Sequence, residues 1–362
     1  MDQQLELESK HKEAKQEILA LKEQIPSARI FNQLGKAFKP KTLGYWLSNI
    51  VLLNLILLSP QILIALALKE FEKTIPVLEA SITAVETVIL GIVVAHIAAQ
   101  IILDDVANRI IEKIINADDI SKMLLWFRKT WSMQNISASA LPFCLFWVSL
   151  AVGGTSLLLQ QFVGFGFTLT AALTGLLAGI ALYVPLWTSS MVVNLKDYQY
   201  EMNAFSPADS EILSDISEML MKGIYILAAT LTVITLVSAS SLVNQQLRVT
   251  FSLPVLAFAW IVIIAQFLLT RSTLGAITNR AKWKTLNRIR TKINSLEATG
   301  DLSDKDTAER LFRLADIHKQ IMASKTNTLD WKSFSTLFSQ LMLPLLGLLL
   351  GNLDKVLKLL SK

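Results

Sequence analysis

The stretch Glu86–Asp105, "ETVILGIVVAHIAAQIILDD", decides the fold class of this 362-residue chain. Between Glu86 and Asp104 it carries no full charge, and its strongly polar side chains are His96 and Gln100. A helix of about 20 predominantly apolar residues crosses the ~30 Å hydrocarbon layer of a bilayer. The stretch therefore predicts a membrane-spanning α-helix with a histidine near its middle.

Apolar runs of similar length recur along the chain. The sequence is 52% hydrophobic and 17% charged, whereas soluble domains usually carry about 25% charged residues. Six spans are predicted, at Leu43–Leu68, Ile82–Leu103, Ala138–Leu159, Phe162–Val184, Gly223–Val243 and Phe251–Thr270. The predicted fold class is an all-α, polytopic helical membrane protein with six transmembrane spans.

A seventh apolar run, "FSTLFSQLMLPLLGLLLG", begins at Phe334; it is short and is broken by Pro344. The lysines Lys355, Lys358 and Lys362 follow it, and basic residues favour the cytoplasmic side. We therefore expect residues 334–362 to form a C-terminal re-entrant or interfacial hydrophobic hairpin. A seventh crossing, which would place the C-terminus outside, is the alternative.

The distribution of lysine and arginine predicts the orientation. These residues cluster before the first span, between spans two and three, and after span six, whereas Arg248 is the lone charge between spans five and six. Positively charged segments stay in the cytoplasm. The N-terminus is therefore predicted to be cytoplasmic. Minimal external loops and a polar start unlike a signal peptide favour a bacterial plasma membrane.

Four regions follow from this orientation. Residues 1–42 form a cytoplasmic helix and basic linker, and residues 43–270 form the transmembrane domain, with cytoplasmic helical loops at 105–133 and 194–222. Residues 271–333 form a basic helical hairpin, and residues 334–362 form the C-terminal segment. The cytoplasmic parts are expected to pack as a helical bundle, because the first helix has a coiled-coil spacing of seam residues: Leu7, His11, Ala14, Ile18, Leu21 and Ile25.

Polar side chains on the second span are the first candidate site. His96, Gln100 and Asp104 lie four residues apart and share one helix face; we call them the polar stripe. Glu86 is predicted to mark the outer end. Ionisable residues inside spans often mark ion or proton paths, and histidine changes charge near neutral pH. The alternative is a hydrogen bond from a neutral His96 to a neighbouring helix.

Two further features of the spans have both functional and structural interpretations. Thr232 and Thr235 belong to a hydroxyl-rich fifth span, which either lines a path or satisfies its hydroxyls on its own backbone. Ala171, Gly175 and Gly179 place small residues at every fourth position of span four. Such a helix-packing seam permits close approach, either inside the chain or between subunits.

A basic face follows span six. Arg280, Lys284, Arg288 and Lys292 repeat at every fourth residue, which places them on one side of a helix. They are expected to contact lipid headgroups or the acidic loop within residues 194–222. Nucleic acid is not an expected partner, because nothing aromatic beyond Trp283 interleaves with these charges.

The sequence contains no nucleotide-binding or metal-binding motif of the common types. We predict a protein that is not an enzyme and has no cofactor and no metal. The leading hypothesis is a homo-oligomeric, channel-like or transport protein with a polar track along the second span. The alternative is a membrane scaffold that recruits a soluble cytoplasmic partner through its helices. An intramembrane enzyme would have to use Cys144 and His96.

Overall fold

The computed structural model describes residues 2–34, 42–69, 71–155, 161–203, 206–240, 245–299, 305–323 and 331–351. Within these residues the chain is 93% helical and forms no strand, which confirms the all-α fold class. The described helices are α1 (Asp2–Gln24), α2 (Pro26–Leu34), α3 (Leu43–Leu68), α4 (Phe71–Asp105), α5 (Ala117–Thr130), α6 (Met133–Thr155), α7 (Gln161–Leu195), α8 (Glu211–Ser240), α9 (Gln245–Thr299), α10 (Lys305–Ala323) and α11 (Trp331–Gly351).

Four of these helices are long and apolar enough to cross a membrane, as expected of an integral membrane protein. The qualifying segments are Leu43–Ala67, Ala84–Lys113, Phe165–Leu195 and Trp260–Ala298, in α3, α4, α7 and α9. The predicted count of six is not confirmed. The other two predicted spans, Ala138–Leu159 and Gly223–Val243, lie in α6 and α8 and end in residues outside the described part of the chain.

Helix α9 is longer than the sequence suggested. Its 55 residues extend over about 82 Å at 1.5 Å per residue. The predicted sixth span and the first arm of the predicted basic hairpin are thus one continuous helix. No proline interrupts residues 271–299, and Gly275 is surrounded by open space. Helix α10 packs back on α9 through Leu286, Ile289 and Ile321.

The largest cluster of buried side chains surrounds the ends of α4 and α7, together with α1, α5 and the start of α8. Trp187, which is 2% exposed, belongs to this cluster, and its ring centroid lies 4.8 Å from that of Trp131. The two predicted cytoplasmic loops also meet here, because Ile115 N donates to Gln199 O (3.1 Å). The membrane-facing helices therefore continue into a shared core beyond their apolar runs.

The seam of α1 is buried against its own chain. Ala14, Ile18 and Leu21 belong to the same cluster as the ends of α4 and α7, and His11 Nε2 lies 2.9 Å from Ile114 O. Helix α1 packs mainly on α4, on α5 and on the π-helical turn Val106–Ile110. The details of the predicted cytoplasmic helical bundle are therefore not confirmed.

The described part of the C-terminal segment is one helix. Helix α11 contains Pro344 and packs on α8 and α9, where Trp260 Nε1 donates to Leu341 O (3.0 Å). Ser339 Oγ lies 3.1 Å from the Tyr225 hydroxyl. The predicted re-entrant hairpin is not confirmed, and residues 352–362 lie outside the described part of the chain.

Candidate functional site

The polar stripe of α4 faces the N-terminal segment. His96 Nδ1 lies 3.1 Å from Ser27 Oγ, and the histidine ring meets Phe31 edge-on at a centroid distance of 5.3 Å. Trp46 of α3 packs on the same ring at 5.8 Å. His96 thus contacts a hydroxyl of α2 and aromatic rings of α2 and α3.

The lower part of the stripe also contacts this segment. Gln100 Nε2 donates to Lys22 O (3.3 Å), and the Lys22 ammonium forms an ion pair with Asp104. The three stripe residues therefore lie together, as helical geometry predicted, and each contacts α1 or α2. In this arrangement the N-terminal segment covers the stripe.

A cavity lies on the opposite face of α4. It has a volume of about 520 Å³ and is lined by α4, α6, α7, α8 and α9, with side chains that include Thr87, Ala98, Pro142, Leu182, Ile226 and Gln266. We call it the α4–α8 cavity. Thr87 and Ile102 mark its extent along α4, fifteen residues apart, which corresponds to about 22 Å.

The wall of the α4–α8 cavity is almost entirely apolar, and none of its described lining residues is charged. Thr188 Oγ1 donates to Val184 O (2.9 Å), and Thr230 Oγ1 donates to Ile226 O (2.8 Å). A threonine hydroxyl that donates to a backbone oxygen of its own helix can be buried in apolar surroundings at little cost in free energy. Gln266 Oε1 accepts a hydrogen bond from Ser189, so the polar groups of the wall are few and partly occupied.

The other predicted path residues do not join the stripe. Glu86 has an exposed side chain, and Thr232 Oγ1 donates to Ala228 O (2.7 Å). The side chain of Thr235 lies outside the described residues. The second and fifth spans do share a cavity, but it uses Thr87 and Thr230 rather than His96 and Thr232.

Sequence reasoning missed a charge network at the ends of α4 and α8. Lys222 Nζ lies 3.1 Å from Asp105 Oδ2 and 2.9 Å from Glu218 Oε1. Arg109 Nη1 lies 3.1 Å from Glu218 Oε2. Hydrogen bonds from Lys222 and Arg109 lower the pKa of Glu218 below its ordinary value. The signal in the sequence was the group of acidic residues at the start of α8, because carboxylates in a helix that packs on other helices are expected to pair with nearby lysine or arginine side chains.

The basic face contacts the loop after α7 through neutral groups. Arg280 Nη1 donates to the backbone oxygens of Lys196 and Asp197, at 3.1 Å each. Lys284 Nζ donates to Gln199 Oε1 (2.7 Å). The side chains of Arg288 and Lys292 are exposed. The expected loop contact therefore forms, but through carbonyl oxygens instead of carboxylates.

The small-residue seam packs inside the chain at Gly179. A Cβ atom at this position would lie 2.5 Å from Ala140 Cα, so α6 and α7 approach each other closely here. Ala171 and Gly175 are also buried. At Gly179 the seam is thus an internal contact between α6 and α7.

The described residues contain no group of three or more histidine, cysteine, aspartate or glutamate side chains that could hold a metal ion. Cys144 is partly buried. No family model matches the chain, and no similar protein was found among the curated proteins or the solved structures.

Proposed function

We propose that the protein is a transport-type membrane protein whose substrate is a lipophilic molecule held in the α4–α8 cavity. The observation that carries the proposal is the cavity itself, with a volume of about 520 Å³. Small-molecule sites are mostly apolar clefts of about 300–1,000 Å³ with a few polar groups. The cavity has this size and this composition.

The chemistry of the wall favours an apolar substrate over an ion. A desolvated ion needs charged or closely spaced polar ligands, because transfer of an unpaired charge into apolar surroundings is very costly. The polar groups of the described wall are three threonine hydroxyls, of Thr87, Thr188 and Thr230, and the amide of Gln266. The hydroxyls of Thr188 and Thr230 are already bonded to their own helices. An alkyl chain or fused-ring molecule with one polar group would match these surfaces.

The position of the cavity supports movement rather than storage alone. It follows α4 from Thr87, inside the apolar run, to Ile102 near its charged end. A lipophilic molecule could therefore enter from the bilayer and leave toward the end of the helix. The coiled-coil seam of α1 gives the scaffold alternative no such support, because Ala14 and Ile18 are already buried within the chain.

The test is photo-crosslinking of purified protein in nanodiscs with a diazirine-labelled palmitic acid. Gly91 lines the cavity, and a Cβ atom there would meet its nearest neighbour at 3.8 Å, so Gly91→Leu should fill the space without a severe clash. We expect this variant to lose most of the labelling and most of the probe transfer between liposomes. Gly275→Leu is the matched control, because Gly275 lies outside the cavity in open space.

Mapping the crosslinked peptides separates cavity binding from contact with annular lipid. Labels on Thr87, Leu182 or Ile226 support the proposal. Equal labelling of wild type and Gly91→Leu, with labels confined to outward-facing side chains of α3, would refute it.

A further inference from the structure

A second cavity lies beyond the apolar part of α9, between this helix and the loop that follows α7. Its volume is about 430 Å³, and its wall includes Tyr198, Gln199, Arg280, Trp283, Lys284 and Asn287; we call it the α9 pocket. Arg280 is nine residues past Arg271, or about 14 Å along the helix. A headgroup layer adds about 5–8 Å on each side of the hydrocarbon. If the hydrocarbon ends at Arg271, this distance favours a soluble ligand of the pocket over an ordinary lipid headgroup.

The charge of the α9 pocket is positive. Arg280 and Lys284 line it, and no carboxylate is among its described lining residues. Asp197 and Glu201 belong to the same loop, but their side chains are exposed and do not form the wall. Asp119 lies beneath the loop, where its carboxylate accepts from Gln199 N (3.0 Å) and pairs with a lysine of its own helix, Lys122.

The two cations are held in place by neutral acceptors. Arg280 uses Nη1 for both loop carbonyls, and Lys284 uses its ammonium for the Gln199 amide. The remaining N–H groups of both side chains meet no acceptor in the described part of the chain. A guanidinium fork beside an ammonium matches the oxygens of a phosphate group. Because the loop already orients both cations, a phosphate would bind without ordering them.

Aromatic side chains border the same space. The indole of Trp283 lines the pocket and is 56% exposed. The aliphatic side chain of Ile115 lies on the same wall and is 46% exposed. Burial raises the pKa of Tyr198 to about 12, so its phenol is neutral at physiological pH. An exposed indole next to a cation is a surface on which flat rings stack. Asn287 and Gln199 add amide groups that can bond to ring heteroatoms.

We propose that the α9 pocket binds a soluble phosphorylated ring compound, the chemical class of nucleotides, with phosphate on Arg280 and Lys284 and the ring on Trp283. This site is separate from the α4–α8 cavity and does not depend on the lipophilic substrate. It is a position at which a soluble metabolite would contact both α9 and the loop after α7.

The test is a calorimetric titration of the full chain in nanodiscs with adenosine monophosphate at fixed ionic strength. Inorganic phosphate and adenosine are titrated in parallel, since each carries half of the proposed ligand. We expect adenosine monophosphate to bind more tightly than either half. Arg280→Gln should weaken this binding by about 10- to 100-fold, the effect of losing a hydrogen bond to a charged group.

Matched controls separate the pocket from the basic face as a whole. Arg288→Gln removes the same charge from the same helix face outside the pocket, and we expect its effect to stay below about twofold at fixed ionic strength. Trp283→Ala changes an exposed side chain and leaves the loop contacts of Arg280 intact. It should weaken binding of adenosine monophosphate about tenfold, the loss expected for a stacked ring, and leave inorganic phosphate unaffected.

Three results would overturn the proposal. The first is a lack of saturable binding of adenosine monophosphate to wild type. The second is an equal loss in Arg288→Gln and Arg280→Gln, which would indicate diffuse charge attraction. The third is binding to vesicles that contain phosphatidylinositol 4-phosphate without binding of adenosine monophosphate, which would assign the pocket to a membrane lipid.

Discussion

The close contact of α6 and α7 at Gly179 leads to a quantitative prediction for Gly179→Ala. A Cβ atom here would lie 2.5 Å from Ala140 Cα, and 3.0 Å from both Ala140 Cβ and Ala140 O. Two of these neighbours are backbone atoms, so a side-chain rotation cannot relieve the clash and the helices must separate. Overpacking of this kind costs about 1–3 kcal/mol or more.

The same substitution also has a stabilising effect, which must be subtracted. Alanine favours the helix over glycine by about 1 kcal/mol. Because the clash involves backbone, we take the upper end of the overpacking range and expect a net loss of about 2 kcal/mol. Gly91→Ala meets its nearest atom at 3.8 Å and Gly275→Ala meets none within 4 Å. Both controls should keep the gain of up to about 1 kcal/mol.

The assay is denaturant unfolding in detergent micelles, followed by tryptophan fluorescence, with size-exclusion chromatography of each variant. We expect Gly179→Ala to unfold at lower denaturant concentration than wild type, and both controls to unfold at equal or higher concentration. A Gly179→Ala variant as stable as the controls would refute the close internal contact. If Gly179→Ala instead changed only the oligomeric state, the seam would be a subunit contact.

Four further predictions follow from other contacts. His96→Ala should increase hydrogen exchange in α2 while α4 stays protected, because the ring holds α2 to the bundle. The pKa of Glu218 is lowered from its ordinary value of 4.5. The ionised carboxylate should therefore stabilise the fold fully above pH 4.5, and this stabilisation should be lost as the pH falls below 4.5. Lys222→Gln should weaken this acid dependence when unfolding is measured against pH. The raised pKa of Tyr198 predicts that its phenolate absorbance appears only near pH 12 and that stability falls as pH rises from 10 toward 12. Tyr198→Phe should reduce this loss without removing it, because burial also raises the pKa of Tyr200. A fluorophore on Glu86→Cys should be quenched by mid-chain nitroxide lipids more strongly than one on Gln100→Cys.

Periodicity predicted which faces are buried. The α1 seam residues Ala14 and Ile18 are fully buried. The geometry of the polar stripe was also predictable, because helical spacing alone aligns its members. These features depend on local structure, which short stretches of sequence encode directly.

The partners of these faces could not be predicted in the same way. An apolar stripe fits many other stripes, so the spacing of α1 residues did not indicate that α4 and α5 are its partners. The α4–α8 cavity arises from five helices that pack incompletely around small residues such as Gly91 and Ala98. Such a space depends on the mutual positions of distant segments, and no local pattern in the sequence encodes it.

The contacts of α1 predict a deeper position for Glu86 than the outer end of the span that the sequence suggested. Helix α1 carries many charged residues, and it packs along α4 from Gln100 onward. We therefore expect the hydrocarbon to end before Gln100. Trp46, which contacts His96 near the start of α3, is of the residue type that favours this boundary. Glu86 lies ten residues before His96, or about 15 Å along the helix, which is half of a hydrocarbon layer of ~30 Å. An exposed carboxyl group at that depth would need a polar partner from another chain or a local water defect. Quenching at position 86 no stronger than at position 100 would refute this depth and return Glu86 to the outer end of the span.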